Sequence, residues 1–328
     1  MTEDSLASLV SRKGADEKPS DCDRLVVLGA GTMGQRISHA AAQKGMEILL
    51  LDVSQEALNS AIGSISESLD HEIEKWALTA SEKKALLSRI KGSVDFNDIT
   101  DQIYFIEAIP ESIELKQNLF RELESHCQPE AILITNTSTL SITELASATR
   151  RPDKVIGMHF LNPVPKVSVV EIVRGVHTSD GTYQKALALS SKLERSAIEV
   201  FESPGYVTTR VITPMVNEAI QVLMEGVASA EDIDTAISLG YEMSNGPLAM
   251  ADKIGLDTVL KWLDTLFHEL GDTKYRPCPL IRMMVRAGFL GVKSGQGFFR
   301  YDEEGRMIPG SGLTSTALDR FREVRRQS

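Results

Sequence analysis

A doubly wound α/β sheet followed by an all-helical domain is the architecture this 328-residue chain predicts. Three observations carry the prediction. An apolar run, Arg24-Leu25-Val26-Val27-Leu28, leads straight into Gly29-Ala30-Gly31-Thr32-Met33-Gly34, which opens a helical pattern. Short apolar runs then alternate with helical stretches as far as Phe201, which implies parallel βαβ units. Beyond Ser203-Pro204-Gly205 only helical patterns continue, to about residue 290, so the domain boundary falls there.

Each glycine of the Gly-x-Gly-x-x-Gly segment has a physical job. The first makes a tight turn, the second lets backbone approach a pyrophosphate, and the third lets helix pack on strand. The phosphates then lie at a helix N-terminus, where N–H groups and the dipole attract negative charge. Asp52 ends the second apolar run, Ile48-Leu49-Leu50-Leu51, in position to accept hydrogen bonds from a ribose diol. The 2′-phosphate of NADP would meet a like charge there, so the predicted cofactor is NAD.

Ile37, Ala40, Ala41 and Lys44 follow helical spacing, and Gly45 stops that helix. The stretch 54–89 is too long for an ordinary loop. Leu58, Ile62, Ile65, Leu69, Ile73 and Trp76 step by three and four, giving a long helix one apolar face opposite Glu67, Asp70, Glu72 and Lys75. A second helix from about Ser81 completes an arm inserted between strands two and three, either a solvated hairpin or a lid over an extended substrate. Strands are expected at Tyr104–Ala108, Ile132–Asn136, Val155–Phe160, Ser168–Val173 and Ala197–Phe201, with helices at Glu114–Cys127 and Gly181–Arg195. Pro214 falls inside the first helix of the second domain and should kink it. The domains predicted are a flexible extension at 1–22, a dinucleotide domain at 23–204 with its arm at 54–89, a helical domain at 205–302 and a tail at 303–328.

A net charge of -11, spread along the chain, gives a nucleic-acid role no support. No apolar run approaches the roughly 20 residues that span a bilayer. Cys22, Cys127 and Cys278 are scattered without metal-ligand spacing and read as reduced thiols of a cytoplasmic protein. The first 22 residues lack the apolar core of a secretory signal.

His159-Phe160-Leu161-Asn162-Pro163-Val164-Pro165 follows a strand, and ligands of open α/β sheets bind beyond the carboxyl ends of strands. Glu171, flanked by Val169, Val170 and Ile172, would be costly in an apolar run unless paired. A His–Glu pair is what a dehydrogenase needs: imidazole takes the hydroxyl proton as hydride leaves carbon, and carboxylate fixes the tautomer. Ser138, after the strand ending at Asn136, is placed for its hydroxyl to touch both nicotinamide and substrate, while Ser141 and Glu144 read as a capping box.

The glycine loop, Glu107-Ala108-Ile109-Pro110-Glu111, Asn136-Thr137-Ser138, His159-Phe160-Leu161-Asn162-Pro163, Ser203-Pro204-Gly205-Tyr206 and Gly246-Pro247-Leu248 together resemble the L-3-hydroxyacyl-CoA dehydrogenase family. The likeness runs from about Arg24 to Tyr301 and includes Gly291-Val292-Lys293-Ser294-Gly295-Gln296-Gly297-Phe298. It implies a Rossmann-type domain, a helical dimerisation domain, a homodimer and an acyl-CoA substrate. It implies His159 as base with Glu171 its partner, and Ser138 and Asn162 at the thioester. Ala108, Glu111, Lys116 and Lys293 match positions that contact the cofactor, and Ser68 and Lys75 match arm positions that touch CoA.

Two departures stand out. Thr209, placed with the substrate-binding residues, occupies a position near the active site where many members carry Asn, and Asp70, His71, Glu72 and Glu74 make the arm acidic where several relatives place lysines. The reaction implied is NAD-dependent oxidation of an (S)-3-hydroxyacyl thioester, or its reverse, on a short acyl chain. No hydratase-like domain is evident, so the chain reads as monofunctional. Two rival readings are a related dehydrogenase acting on a free hydroxy acid, sugar acid or carrier-protein thioester, and a non-catalytic NAD-binding protein. The first would need a cationic carboxylate anchor that no motif supplies.

Overall fold

The structure, a computed structural model, describes residues 23–314. The predicted 1–22 extension, Cys22 and the tail beyond residue 314 lie outside the described residues. The order is β1 (Arg24–Leu28), α1 (Thr32–Gln43), β2 (Glu47–Leu51), α2 (Gln55–Glu74), α3 (Ala80–Leu87), β3 (Ile90–Ser93), β4 (Tyr104–Glu107) and α4 (Ile113–His126). Then come β5 (Ile132–Thr135), α5 (Ile142–Ser147), β6 (Val155–Phe160), β7 (Val169–Arg174), α6 (Asp180–Lys192) and β8 (Ser196–Phe201). Helices α7 (Thr208–Glu225), α8 (Ala230–Gly240), α9 (Pro247–Ile254), α10 (Leu256–Leu270) and α11 (Pro279–Arg286) follow.

The eight strands form one sheet in the order β3-β2-β1-β4-β5-β6-β7-β8. From β3 to β6 the pairings are parallel, the doubly wound arrangement the alternation predicts. β7 departs from it and pairs antiparallel with β6. The connection 161–168 is too short for a crossover of a dozen or more residues, so the chain can only fold back. Leu25, Val27, Ile48, Leu50, Ile106, Ile134 and Ile156 from the sheet meet Ile37 and Ala41 of α1, Leu58 and Ile65 of α2 and Leu189 of α6 in one core.

The arm lies within the predicted 54–89. Ser54 caps α2 by accepting from the Ala57 N–H, and Thr79 and Glu82 form a reciprocal capping box on α3. Trp76 is a correction. α2 stops at Glu74, and Trp76 has φ +58° and is 96 % exposed rather than on the apolar face.

The chain divides into two compact units: residues up to Asn136 with Ile142–Glu199, and Thr137–Ser141 with Val200 onward. The short 137–141 segment therefore belongs with the helices. The second unit has its own core, with Ile220, Leu223, Leu248, Leu256, Leu263, Ile281 and Phe298 inside it. Two buried carboxylates organise that unit. Asp234 accepts from the Leu248 and Ala249 N–H groups at the start of α9, at 2.8 and 2.7 Å. Asp252 accepts from the Phe298 and Phe299 N–H groups and the Tyr301 hydroxyl, each at 3.0 Å. Burial pushes the Asp252 carboxyl up to about 6, against the pull of those three donors. A Cβ on Gly297 would lie 1.9 Å from an Asp252 oxygen, which accounts for glycine there.

Candidate active site

The dinucleotide end is built by β1, α1 and the end of β2. The chain turns through Gly29 at φ +101°, and a Cβ there would lie 2.8 Å from the Ala108 carbonyl oxygen. At Gly34 a Cβ would meet the Gly29 carbonyl oxygen at 1.8 Å, whereas at Gly31 it would meet nothing within 4 Å. Turn, close packing and open approach thus fall on the first, third and second glycines. No side chain caps α1, where Thr32 is exposed and Met33 packs partly into the core, so its first turn is open to an anion beside Gly31. Asp52 is half-buried, with Oδ2 accepting from the Ala30 N–H at 2.7 Å and Oδ1 from the Ser54 N–H at 3.0 Å. It steadies the glycine turn and keeps lone pairs for a diol. These residues fit a bound NAD.

Under the Ala108–Glu111 loop lies a charged pair. Lys116 Nζ is 2.5 Å from Glu107, 3.2 Å from the Ile109 carbonyl oxygen and 3.3 Å from Glu111. Glu107 also accepts from the Thr135 hydroxyl and the Ile109 N–H, each at 2.7 Å. Both partners are fully buried. Burial pushes the Glu107 carboxyl up, and the lysine, threonine and amide draw it back. Lys116 is thus enclosed under the loop that carries Ala108 and Glu111.

The chemistry candidates stand at the carboxyl end of β6. The antiparallel register sets His159 directly opposite Glu171, and His159 Nδ1 lies 2.6 Å from Glu171 Oε2, both residues buried. An ionised carboxylate only accepts, so Nδ1 carries the proton and Nε2 presents its lone pair. Asn136 Oδ1 accepts from the Phe160 N–H at 2.9 Å, tying the end of β5 to that of β6. Asn162 is exposed on the loop beyond, and Val164, buried, pins that loop between Pro163 and Pro165.

A residue the motifs did not mark stands beside them. Arg36, on the second turn of α1, donates from Nη1 to Asn162 Oδ1. It is half-buried, and desolvation lowers its pKa from that of a free guanidinium. No motif in the sequence marks this contact, whose partners lie 126 positions apart.

The other expected positions are distributed. Ser68 and Lys75 are exposed on the arm, Lys75 as the C-cap of α2, and neither side chain makes a hydrogen bond among the described residues. In the helical unit, Ser138 sits in a turn where Thr137 Oγ1 accepts from the Thr139 and Leu140 N–H groups and the Tyr206 hydroxyl donates to the Leu140 carbonyl at 3.1 Å. Thr209 is buried in the first turn of α7, 3 % exposed. Lys293 is paired with Asp257 at 2.7 Å.

Comparisons with known proteins agree with this layout. Residues 24–203 match the model of the 3-hydroxyacyl-CoA dehydrogenase NAD binding domain, and residues 205–301 match that of its C-terminal domain. The chain is 44 % identical over 281 residues to a probable 3-hydroxybutyryl-CoA dehydrogenase of Bacillus subtilis, covering 86 % of this chain and 98 % of that one. It is 41 % identical to the 3-hydroxybutyryl-CoA dehydrogenase of Clostridioides difficile, over 85 % of this chain and all of the relative. The crystal structure of (S)-3-hydroxybutyryl-CoA dehydrogenase from Ralstonia eutropha is similar with a TM-score of 0.79 at 43 % identity, covering 86 % of this chain and 99 % of that one. The chain therefore belongs to the 3-hydroxyacyl-CoA dehydrogenase family, and its first unit carries the NAD-binding domain of that family.

Proposed function

We propose that this protein oxidises an (S)-3-hydroxyacyl-CoA to the 3-oxoacyl-CoA, or catalyses the reverse, on a short acyl chain such as 3-hydroxybutyryl. The observation that carries the reading is the buried His159–Glu171 pair at the carboxyl end of a sheet whose first turn fits a dinucleotide. A bound NAD would supply the acceptor for the hydride that leaves C3. His159 Nε2 takes the hydroxyl proton as the C3–O bond becomes a carbonyl, and Glu171 stabilises the imidazolium that forms. Asn162 and Ser138 hold the thioester region, Asp52 selects the diol of NAD, and Ser68 and Lys75 on the arm face CoA. Ala108, Glu111, Lys116 and Lys293 complete the set assigned to cofactor binding.

No helix among the described residues is long and apolar enough to cross a membrane. The free thiols of Cys127 and Cys278 support a cytoplasmic setting. Leu239 and Tyr241, 77 % and 75 % exposed on the helical unit, support a homodimer formed through it. The test is NADH formation from NAD and 3-hydroxybutyryl-CoA. With NADP, kcat/KM should fall at least about tenfold, a difference of only about 1.4 kcal/mol. Absence of turnover with this thioester removes the assignment, and equal efficiency with NADP removes the role of Asp52.

A further inference from the structure

The strand order places a topological switch between β1 and β4. From β1 the chain winds through β2 to β3 on one side, then crosses to β4 on the other. Ligands of open α/β sheets bind in the crevice beyond the carboxyl ends of the strands at such a point. The glycine turn after β1 forms one wall of that crevice. The loop after β4 forms the other, and its Ala108 carbonyl oxygen lies where a Cβ on Gly29 would come within 2.8 Å. Beneath this second wall, Glu107 divides its carboxylate between two neighbours. Oε1 accepts from the Ile109 N–H at 2.7 Å and from Lys116 Nζ at 2.5 Å. Oε2 accepts from the Thr135 hydroxyl of β5 at 2.7 Å. Lys116 Nζ in turn reaches the Ile109 carbonyl oxygen at 3.2 Å and Glu111 at 3.3 Å. Both backbone polar groups of Ile109 therefore end on buried charges, and Pro110, next in line, has no N–H to add an anchor. Desolvating two charges offsets most of what their attraction returns, so such a pair is weak evidence of stabilisation. What this pair visibly does is hold the loop.

We propose that Glu107 is a positioning residue for the cofactor: through Oε1 it presets the 108–111 loop as the wall against which NAD binds. The inference rests on NAD binding by this domain and not on which thioester is oxidised. Glu107 is fully buried beneath the loop, so it acts through the loop rather than on the dinucleotide itself. A loop set in advance has little freedom to lose when the cofactor binds. The gain therefore appears as affinity for NAD and NADH alike, and not in the hydride step.

NADH titrations and thermal melts of the natural protein, Glu107→Gln and Thr135→Val test this. Glu107→Gln keeps the size of the side chain and removes the charge that Lys116 and the Ile109 N–H share. It should raise the Kd of NADH and the KM of NAD about tenfold, within the range for hydrogen bonds to charged groups. Its kcat and its KM for 3-hydroxybutyryl-CoA should stay within about twofold. Thr135→Val removes a partner of the same carboxylate on the oxygen that does not serve the loop. It should lower the melting temperature yet keep the Kd of NADH within about twofold. Hydrogen exchange on the natural protein gives an answer even where Glu107→Gln does not fold: the Ile109 amide should be protected before NADH is added. Unchanged NADH affinity in Glu107→Gln overturns the proposal. Equal losses of NADH affinity in both variants do the same, because the network would then serve the fold alone. An Ile109 amide that exchanges freely until NADH arrives also refutes it, since the cofactor would then be shaping the loop. Inactivity of the natural protein on this thioester would strike the functional reading alone, because the titrations do not depend on it.

Discussion

His159 and Glu171 face each other across two antiparallel strands, so the backbone ladder itself sets their distance. Removing the imidazole with His159→Ala should cut kcat about 10²–10⁴-fold, the usual worth of a general base, while leaving NAD affinity nearly intact. Glu171→Gln should also lower kcat and shift the pH–rate profile, because a neutral amide stabilises imidazolium less. Steady-state kinetics beside NAD titrations check both; near-normal turnover of His159→Ala would refute the mechanism. Both residue types were legible in the sequence, as a histidine after a strand and a carboxylate in an apolar run. Their direct opposition was not, because it depends on β7 reversing direction. Arg36 was illegible for a related reason: its partner lies 126 positions away, and no local pattern ties a helix arginine to a loop asparagine. Thr209 is 3 % exposed in the first turn of α7, where an asparagine would bring both a donor and an acceptor in place of a shorter hydroxyl and a methyl group. We expect Thr209→Asn to shift KM for the thioester or the acyl-length preference more than NAD affinity, as kinetics on an acyl-CoA ladder would reveal; an unchanged selectivity with a shifted melting temperature would remove Thr209 from the site.

At the scale of the element, the arm shows where periodicity stops being informative. Leu58, Ile65 and Leu69 are buried as their spacing predicts, yet the same spacing carried on to Trp76, where the helix has already ended. The Trp76 N–H bonds the Ile73 carbonyl oxygen and the Ala77 N–H bonds the Glu72 carbonyl oxygen, each at 2.9 Å. That pair of bonds closes a helix through a left-handed residue, a place usually held by glycine. With tryptophan there, the sequence carries no stop signal. Trp76→Gly should stabilise the protein by about 1 kcal/mol by removing the left-handed cost of an L side chain. An unchanged or lowered denaturant midpoint would show that the exposed indole makes a compensating contribution. The strand–helix alternation, by contrast, was readable nearly throughout, because core-facing runs in a parallel sheet are continuous and apolar.

On the scale of the whole molecule, the 137–141 segment sorts with the helical unit for reasons of contact that composition does not record. The helical unit also carries a pH dependence. Asp252 rises from 3.8 to about 6 on folding because burial disfavours its charge. A carboxyl raised in the folded state favours folding when protonated. Its contribution is therefore full below pH 3.8 and is lost as pH climbs through about 6. The swing is on the order of 3 kcal/mol. In Asp252→Asn the slope of stability against pH across that window should flatten relative to the natural protein, as melts at graded pH would record. Parallel slopes would mean that Asp252 is already ionised throughout.

The Glu107–Lys116 pair constrains how this lineage can drift. Losing Lys116 strands Glu107 in the interior at a cost of about 3–5 kcal/mol. Losing Glu107 leaves Lys116 with only the half-buried Glu111 as a carboxylate partner, at 3.3 Å. An apolar exchange of both also takes the Glu107 acceptor from the Thr135 hydroxyl and the Ile109 N–H. Against a total stability of roughly 5–15 kcal/mol, the single-step intermediate sits near the edge of viability. Descendants of this sequence should therefore inherit the two positions as one heritable unit, kept together or surrendered together, and the loop they underpin should vary less than its surface location would lead one to expect.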